Sequence, residues 1–463
     1  MTDTKARRGT WRSWSGLSRC VPRHWVKVRS EQDVVDAVRT AAAQGLTVRA
    51  AGTGHSFNGC ACTDGVLVDL SEYGGVTHVD TQARTVTVRT GTHTGKLCAV
   101  LHEHGLAIAN MGTSVEQTVG GMVATANHGT GIGHPPLTAQ VESLRIVTAD
   151  GVVRDCDAYR DPDLFRAALG GLGTLGVITS VTLRCVPQFK LLAVEDSEPV
   201  GHLLDRFDEW VYGSDRASFS VKAWSDTAYT LALHVTDRPP TPNAERRRRV
   251  NTLQDVRSSL VGQAGRVSKA AVPWLVSRIN IGGDPVEYVH YSHLALTWPQ
   301  PIRFLSMEYG HPIENVVPAL RALLPMLRRG GMYSPYSVTV RTSSADVGLL
   351  GPAYGRATGY INLTIPRALS YTEVLRTAEA VFLDHDGRPH LGKGHTATAD
   401  VLAPRYPEWE SFQQARARFD PHGMFTTDYV RRVLGPSPDA AFRGDGAPVA
   451  ARSATEQIER SRP

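Results

Sequence analysis

Residues 49–71 read RAAGTGHSFNGCACTDGVLVDLS, and residues 111–131 read MGTSVEQTVGGMVATANHGTG. Both stretches place glycine beside serine, threonine or asparagine, as do NHGTGIG at 127–133 and GGLGTLG at 170–176. Loops of this composition present clusters of backbone N–H groups that suit phosphate oxygens and a closely approached planar ring. Four such loops within roughly 130 residues predict a phosphate-containing cofactor.

Length and composition exclude several other classes of protein. The chain has 463 residues, of which 41% are hydrophobic and 21% charged, values typical of two or three globular domains rather than of disorder. A net charge of +5 gives no argument for a nucleic-acid partner, and no apolar run is long enough for a membrane span. The six cysteines are too few for a disulfide scaffold, and Cys60 and Cys62 have no second pair for structural zinc. We therefore expect a cytoplasmic protein with reduced thiols and without a metal, whose oligomeric state the sequence leaves unknown.

One glycine pattern keeps a nicotinamide-dependent dehydrogenase open as an alternative. Residues 171–176 read GLGTLG, a G-x-G-x-x-G pattern, and Asp196 follows twenty residues later. The dinucleotide fingerprint needs a strand, then the glycines, then a helix, because the pyrophosphate lies at the helix N-terminus. Here a helical stretch precedes the glycines and the strand pattern of 177–186 follows them, so the order is inverted and the nicotinamide interpretation is disfavoured.

Hydrophobic periodicity predicts an α+β chain whose character changes near residue 191. Up to that point glycine-rich loops alternate with short elements, whereas beyond it glycine becomes rarer and β-branched or aromatic runs appear. The predicted helices cover 31–44, 96–105, the DLFRAALGG stretch, 314–331 and a C-terminal helix from 409 that ends at an Asp-Pro pair. The predicted strands include 66–71, 85–91, a hairpin over 144–156, 177–186, 229–235, 337–343 and 360–366.

The histidines differ in what their positions indicate. His55 follows Gly-Thr-Gly at the end of a predicted strand, where a side chain would face a bound ligand. The pairs His102/His104 and His390/His395 do not have the spacing of metal ligands, so a structural role is the better interpretation for them.

The two glycine-rich stretches and the C-terminal RPHLGKGHTATADVLAPRYPEWESFQQARARFDPHGMF resemble the flavoproteins of the vanillyl-alcohol-oxidase type. The similarity is greatest to the aldonolactone oxidoreductase branch, which includes gulonolactone, galactonolactone and D-arabinono-1,4-lactone oxidases and bacterial alditol oxidases. The resemblance implies an α+β fold with a two-part FAD-binding domain of the PCMH type and an antiparallel-sheet substrate, or cap, domain. It places the FAD-binding domain at 14–190, the cap domain at 191–385 and a C-terminal segment that returns to the FAD domain at 386–435, followed by a disordered tail at 436–463.

The resemblance also implies FAD as the cofactor and assigns residues to it. In this branch the histidine of the G-H-S motif is bonded covalently to the flavin, and that position is His55 here; packing of His55 against a noncovalent flavin is the alternative. Further cofactor contacts implied by the family's loops are Gly52, Thr53, Gly54, Ser56, Gly112, Thr113, Ser114, Gly121, Thr125, His128, Gly129, Gly131, Gly176, Ile178 and His395.

On the substrate side, the family's E-x-R strand motif corresponds to Thr339-Val340-Arg341 in this chain. Arg341 matches the arginine and Lys393 the lysine near the substrate oxygen, and Asn362 and Thr364 stand where alditol oxidases carry H-x-T. These five residues are the predicted catalytic set. Thr339 replaces the expected glutamate, which removes an acceptor for sugar hydroxyls and a counter-charge for Arg341. We therefore expect a polyol or sugar-derived substrate other than the ordinary alditol or aldonolactone.

The implied reaction is hydride transfer from a hydroxyl-bearing carbon to the flavin, which dioxygen then reoxidises with release of hydrogen peroxide. A dehydrogenase that uses another electron acceptor remains an alternative, because Asn127 is a bulky polar residue that would restrict oxygen access beside the flavin. A flavin-binding protein that has lost turnover is a second alternative, which Thr339 motivates.

Overall fold

The structure is a computed structural model that describes residues 9–242 and 260–437, the latter with gaps at 262, 266, 269–270, 278–284, 298–299, 301, 335–336 and 367–371. The predicted disordered tail at 436–463 lies outside the described residues from 438 onward. No helix in the described part of the chain is long and apolar enough to cross a bilayer.

The strands are numbered in chain order. They are β1 Trp11–Arg12, β2 Arg19–Cys20, β3 His24–Lys27, β4 Val48–Ala51, β5 Val66–Asp69, β6 Val76–Asp80, β7 Thr85–Arg89, β8 Leu106–Ala107, β9 Val141–Val147, β10 Val153–Asp157, β11 Val177–Arg184, β12 Val186–Pro187, β13 Lys190–Pro199, β14 Arg216–Val221, β15 Thr227–Thr236, β16 Val286–Tyr291, β17 Phe304–Pro312, β18 Val338–Ser343, β19 Thr358–Pro366 and β20 Arg388–Pro389.

The α-helices are numbered in the same way. They are α1 Glu31–Gln44, α2 Thr94–Glu103, α3 Val119–Ala124, α4 Pro162–Ala168, α5 Val200–Asp205, α6 Phe207–Tyr212, α7 Val272–Ser277, α8 Ser292–Leu296, α9 Val316–Arg329, α10 Thr372–Asp384, α11 Ala399–Leu402, α12 Trp409–Phe419 and α13 Asp428–Leu434.

The N-terminal part contains two sheets whose strand ends carry the glycine-rich loops. In the three-stranded sheet, β5 lies between β3 and β4 and is parallel to both. The five-stranded sheet has the antiparallel order β10-β9-β11-β7-β6. Helix α1 starts at a capping box formed by Ser30 and Asp33 and buries Val34, Val35 and Val38. The loop that begins at Gly52 leaves the end of β4, so this sheet sets the direction of the G-H-S motif.

The C-terminal part is built on one eight-stranded sheet of order β16-β13-β15-β14-β18-β19-β17-β20, in which every pairing is antiparallel. Alternate side chains give it two different faces. One face is apolar and packs with helices α9 and α10 in a shared core that includes Phe219, Val340 and Ile361. The other face is polar and only half-buried, and it carries Ser218, Ser220, Thr339, Arg341, Asn362 and Thr364.

After β20 the chain returns to the N-terminal part. The Phe57 N–H donates to the Gly392 carbonyl at 2.8 Å, and the Val48 N–H donates to the Met424 carbonyl at 2.9 Å. Hydrogen bonds therefore link the segment after β20 to the N-terminal part, at the G-H-S loop and at the start of β4.

The secondary structure predicted from periodicity is largely confirmed. The helix predicted at 31–44 has those bounds, the 144–156 hairpin forms from β9 and β10, and the C-terminal helix ends before the Asp420-Pro421 pair. The GLGTLG loop lies between helix α4 and strand β11, which is the inverted order that disfavoured a nicotinamide site.

Candidate active site

A cleft of about 1100 Å³, part of it open to solvent, separates the glycine-rich loops from the polar face of the large sheet. Most of the predicted site residues line it, and they come from four separate stretches of the chain. These are Gly52, Thr53, Gly54, His55, Ser56, Gly112, Thr113, Ser114, Gly121, Thr125, His128, Arg341 and Lys393.

Other predicted residues lie outside this lining. They are Gly129, Gly131, Gly176, Ile178, His395, Thr339, Asn362 and Thr364. A Cβ at Gly129 would lie 2.0 Å from the Asn110 side chain, so this glycine serves close packing of the chain on itself. His395 is buried, and its Nε2 hydrogen-bonds the Tyr429 hydroxyl at 2.8 Å.

The loops around the cleft are packed too closely for a side chain larger than glycine. A Cβ at Gly52 would lie 2.0 Å from Thr118 Oγ1, and one at Gly112 would lie 2.5 Å from Asn127 Nδ2. The Gly112 N–H also donates to Asn127 Oδ1 at 2.8 Å. Ser114 Oγ is buried and has no hydrogen-bond partner within the described residues. A ligand rich in hydrogen-bonding oxygens, such as a dinucleotide, would supply the partner that the buried Ser114 hydroxyl lacks.

His55 lies in the cleft against an aromatic cluster. Its ring stacks on Trp14 with centroids 4.9 Å apart and an interplanar angle of 18°, and Phe304 meets Trp14 edge-on at 5.3 Å. Burial, together with the positive charges of His93 and Lys393, lowers the pKa of His55 to about 4. The imidazole is therefore neutral at pH 7 and keeps a free nitrogen lone pair, as a nucleophile requires.

Glu308, on strand β17, supplies a buried carboxylate that the sequence interpretation did not include. Its Oε1 lies 2.6 Å from His128 Nε2, and its Oε2 lies 3.7 Å from Lys393 Nζ and accepts a hydrogen bond from Asn362 Nδ2. Lys393 Nζ also donates to Ser306 Oγ at 3.1 Å. The predicted residues His128, Lys393 and Asn362 are thus brought together by one carboxylate.

The surroundings of Glu308 keep its carboxyl group ionised. Burial by itself raises the pKa of Glu308, but the positive charges of Lys393 and His128 and the hydrogen bond from His128 outweigh it, and the pKa lies well below its ordinary value. His128 Nδ1 faces the Gly129 carbonyl at 3.0 Å while Nε2 faces the carboxylate, so both ring nitrogens face acceptors.

Glu308 lies in the same row of side chains as Thr339, the position at which the expected glutamate is absent. Thr339 is opposite Asn362 in the β18–β19 ladder, and Asn362 is opposite Glu308 in the β19–β17 ladder, so the three residues form one row on the polar sheet face. The carboxylate absent at Thr339 is therefore supplied two strands away. The available signal was a glutamate inside the strand run FLSMEYGHP, where it alternates with Met307 and Tyr309 and so shares a face with Ser306.

Arg341 presents a second cation to the cleft. Its guanidinium makes no hydrogen bond or ion pair with any residue that the structure describes. Burial lowers the pKa of Arg341, and the Glu308 charge acts in the opposite direction. The arginine stays charged and is available to a ligand oxygen.

His390 is a further cleft residue that the sequence did not indicate. It was interpreted as structural, yet it lines the cleft beside Glu308, and burial lowers its pKa to about 3. Its Nδ1 accepts a hydrogen bond from the Gly392 N–H at 3.1 Å, which shapes the turn that carries Lys393. Within the described ranges, no group of three or more His, Cys, Asp or Glu side chains could hold a metal ion.

Comparison with known proteins agrees with this arrangement. The family described as D-arabinono-1,4-lactone oxidase matches residues 181–433, and the FAD binding domain family matches residues 22–157. The chain is 36% identical to L-gulono-1,4-lactone dehydrogenase of Mycobacterium tuberculosis over 92% of its own length and 99% of the relative's. It is 30% identical to an alditol oxidase of Streptomyces (91% and 98% covered) and 29% identical to L-gulonolactone oxidase of Bos taurus (92% and 98%).

Among solved structures, cholesterol oxidase from Brevibacterium sterolicum superposes with a TM-score of 0.77 at 16% identity, covering 94% of this chain and 98% of that chain. This likeness concerns the fold alone. The predicted α+β fold, with a PCMH-type FAD-binding domain and an antiparallel-sheet partner, is confirmed. The chain belongs to the D-arabinono-1,4-lactone oxidase family of FAD-dependent oxidoreductases.

Proposed function

We propose that the protein oxidises a hydroxyl-bearing carbon of a small polyhydroxylated substrate, such as an aldonolactone or alditol, by hydride transfer to FAD. The proposal is supported chiefly by two cations, Arg341 and Lys393, that line the same cleft as His55. The substrate class is taken from relatives named for gulonolactone and alditols.

The residues that would hold FAD are those of the glycine-rich loops, above all Gly52–Ser56 and Gly112–Ser114, whose backbone and hydroxyl groups face the cleft. Bound FAD would supply the hydride acceptor. Its reoxidation by dioxygen would yield hydrogen peroxide. We propose that His55 also forms a covalent bond to the flavin, because its ring is neutral at pH 7 and held in place by Trp14.

Arg341 and Lys393 would bind the reacting hydroxyl of the substrate. As the hydroxyl gives its proton to solvent, to which the cleft is partly open, negative charge develops on its oxygen, and the two cations stabilise that charge. Glu308 holds Lys393 at one side of the cleft and offsets part of its charge, while His128 fixes the carboxylate from behind. A hydroxyl-bearing substrate is thereby oriented with its reacting carbon toward the flavin side.

The experiment is anaerobic mixing of the purified yellow protein with L-gulono-1,4-lactone, D-arabinono-1,4-lactone, xylitol or sorbitol. Bleaching of the visible flavin bands by at least one of these compounds supports the proposal. Bleaching by dithionite but by none of the polyols and lactones contradicts it, and favours a flavin-binding protein without turnover.

The covalent bond has its own test. We expect flavin absorbance to remain in the acid-precipitated pellet of the wild-type protein and to move to the supernatant after His55→Ala. His78→Ala is the matched control, because His78 is exposed on strand β6. Release of flavin from the wild-type pellet contradicts the covalent bond without affecting FAD binding.

The proposed electron acceptor is dioxygen, but one feature of the cleft favours a different acceptor. Asn127 fills the space beside Gly112 and is bonded to Gln117 Oε1 at 3.1 Å, so a fixed polar side chain lies next to the cleft. This favours a dehydrogenase that uses another acceptor as the second candidate. Stoichiometric hydrogen peroxide during turnover supports the oxidase, whereas turnover only with an added dye acceptor supports the dehydrogenase.

A further inference from the structure

Two of the six cysteines differ from the others in their exposure. Cys20 and Cys62 are partly exposed, whereas the remaining four are buried, namely Cys60, Cys98, Cys156 and Cys185. Burial raises the pKa of each of these four thiols, so they stay protonated and unreactive at pH 7. A dissolved oxidant is therefore expected to react first at the two exposed cysteines.

The backbone brings Cys20 level with Cys62. The parallel ladder between β3 and β5 begins with His24 opposite Val66. The same register, carried back by four residues to positions outside the two strands, pairs Cys20 with Cys62. Adjacent strands lie about 4.8 Å apart, which is within the range of about 4.4 to 6.8 Å between Cα atoms that a disulfide requires.

The two side chains meet as this register predicts, and both pack against an apolar cluster that includes Trp11. The Cys62 thiol donates a hydrogen bond to the Cys20 sulfur, and the Thr63 N–H donates another. The bond from Cys62 is the main cause that lowers the pKa of Cys20, and burial and the charge of Asp64 act in the opposite direction. The same bond and burial raise the pKa of Cys62. Cys20 is therefore the thiol that ionises first and acts as the nucleophile.

The cysteine pair connects the two segments that hold His55. Cys20 ends the β1–β2 hairpin, and the loop of this hairpin carries Trp14. The Trp14 N–H donates to the Gly54 carbonyl at 2.7 Å, and the Trp14 ring stacks on His55 with centroids 4.9 Å apart. Cys62 follows the G-H-S motif, and the two residues just before it line the cleft. A bond between the sulfurs would fasten the hairpin that carries Trp14 to the loop that carries His55.

We propose that Cys20 and Cys62 are a reactive dithiol that hydrogen peroxide converts to a disulfide, which fastens the β1–β2 hairpin to the G-H-S loop. The Cys20 thiolate attacks one peroxide oxygen, the O–O bond breaks, and the hydroxide that leaves takes up a proton to become water, so that Cys20 is a sulfenic acid. The Cys62 sulfur then attacks the sulfenic sulfur, the S–S bond forms, the S–O bond breaks, and the hydroxyl leaves as water with the Cys62 proton. The two thiols lose two electrons, which reduce one peroxide to two waters.

The test is a peptide map of the intact flavin-containing protein, purified with its thiols reduced and then exposed to hydrogen peroxide at pH 7. Remaining thiols are blocked with N-ethylmaleimide during denaturation, before digestion with trypsin. Cys20 is the cysteine of tryptic peptide 20–23, and Cys62 shares peptide 50–84 with Cys60. We expect these peptides to be joined by a disulfide that dithiothreitol breaks, with the maleimide on Cys60. A map in which Cys20 is a free thiol, a sulfinic acid or joined to Cys60 overturns the inference.

Serine variants identify the two partners and the consequence of joining them. Cys20→Ser and Cys62→Ser should each abolish the joined peptides, whereas the matched control Cys60→Ser, two residues away, should retain them. Because the disulfide closes a loop of about 40 residues, the oxidised wild-type protein should melt about 2 to 5 °C above the reduced protein, and dithiothreitol should reverse the shift. Joined peptides without this shift overturn the fastening of the hairpin.

The wild-type map needs no variant, so it decides the inference even if a serine variant does not fold. The peroxide is added from outside, and the map records sulfur chemistry alone. Failure of the proposed flavin reaction, which is recorded by bleaching, is therefore distinguishable from failure of the disulfide.

Discussion

Glu308→Gln removes one negative charge from a buried cluster and leaves the shape of the side chain nearly intact. The carboxylate is 3% exposed and lies 2.6 Å from His128 Nε2 and 3.7 Å from Lys393 Nζ. The amide of glutamine can still accept from Asn362, but it cannot balance the charge of Lys393. The variant therefore isolates the charge of Glu308 from its packing.

The expected cost follows from these distances. At an effective dielectric constant of about 20, the Glu308–Lys393 attraction at 3.7 Å is about 4 kcal/mol. The desolvation of the buried groups offsets most of this attraction in the intact cluster, but removing one partner leaves the others buried and uncompensated, which typically costs about 3 to 5 kcal/mol. Because Lys393 keeps its hydrogen bond to Ser306 in the variant, we expect a loss near the lower end, about 3 kcal/mol in the free energy of unfolding.

Urea unfolding at pH 7 measures this loss directly. The control is Glu142→Gln, which removes a surface carboxylate paired with Arg184 and should change the free energy of unfolding by less than about 1 kcal/mol. A Glu308→Gln variant as stable as the Glu142→Gln variant would refute the reasoning, because it would mean that the cluster carries no net charge interaction.

The same pair of proteins gives a pH prediction. The pKa of Glu308 in the folded protein lies well below the ordinary glutamate value of 4.5. Its stabilising contribution is therefore complete above pH 4.5 and is lost as the pH falls through the lower folded value. The stability difference between the wild-type protein and Glu308→Gln should be constant near neutral pH and shrink below pH 4.5. A difference that grows as the pH falls would contradict the ionised state of Glu308.

Three further outcomes are expected at the cleft. Lys393→Met should lower kcat/KM at least about a hundredfold through loss of a charge that stabilises the reacting oxygen, with the flavin content unchanged, as steady-state assays and the visible spectrum would show. Gly52→Ala places a Cβ 2.0 Å from Thr118 Oγ1, which should cost about 1 to 3 kcal/mol in the free energy of unfolding. Its melting temperature and its flavin-to-protein ratio should both fall. In the control Gly201→Ala the new Cβ meets nothing within 4 Å, so neither quantity should change. Asn127→Gly should speed reoxidation of the reduced protein by dioxygen in stopped-flow measurements, and an unchanged rate would remove Asn127 as an oxygen barrier.

The sequence predicted the fold well because its signals are local or depend on motifs. The capping box at Ser30 and Asp33, the hairpin turn between β9 and β10 and the apolar stripe of helix α9 are all determined by neighbouring residues. The residues from Gly52 to Ser56, predicted as cofactor contacts, line the cleft, and at Gly52 close packing leaves no room for a larger residue.

The composition of the site was predicted less completely, because its central contacts join distant strands. Glu308 and His128 are 180 residues apart, and Thr339 and Glu308 share a row only through the register of three strands. The E-x-R motif alone identified the threonine at position 339. It did not identify the carboxylate of Glu308, which strand pairing brings into the same row.

The visible spectrum of the purified protein during anaerobic addition of a polyhydroxylated substrate tests the central claim most directly. We expect a yellow protein with bound flavin whose two visible bands bleach on addition of at least one lactone or alditol. A flavin-containing protein that dithionite reduces but that none of these compounds bleaches, at concentrations up to saturation, would contradict hydride transfer from a hydroxyl-bearing carbon at this site.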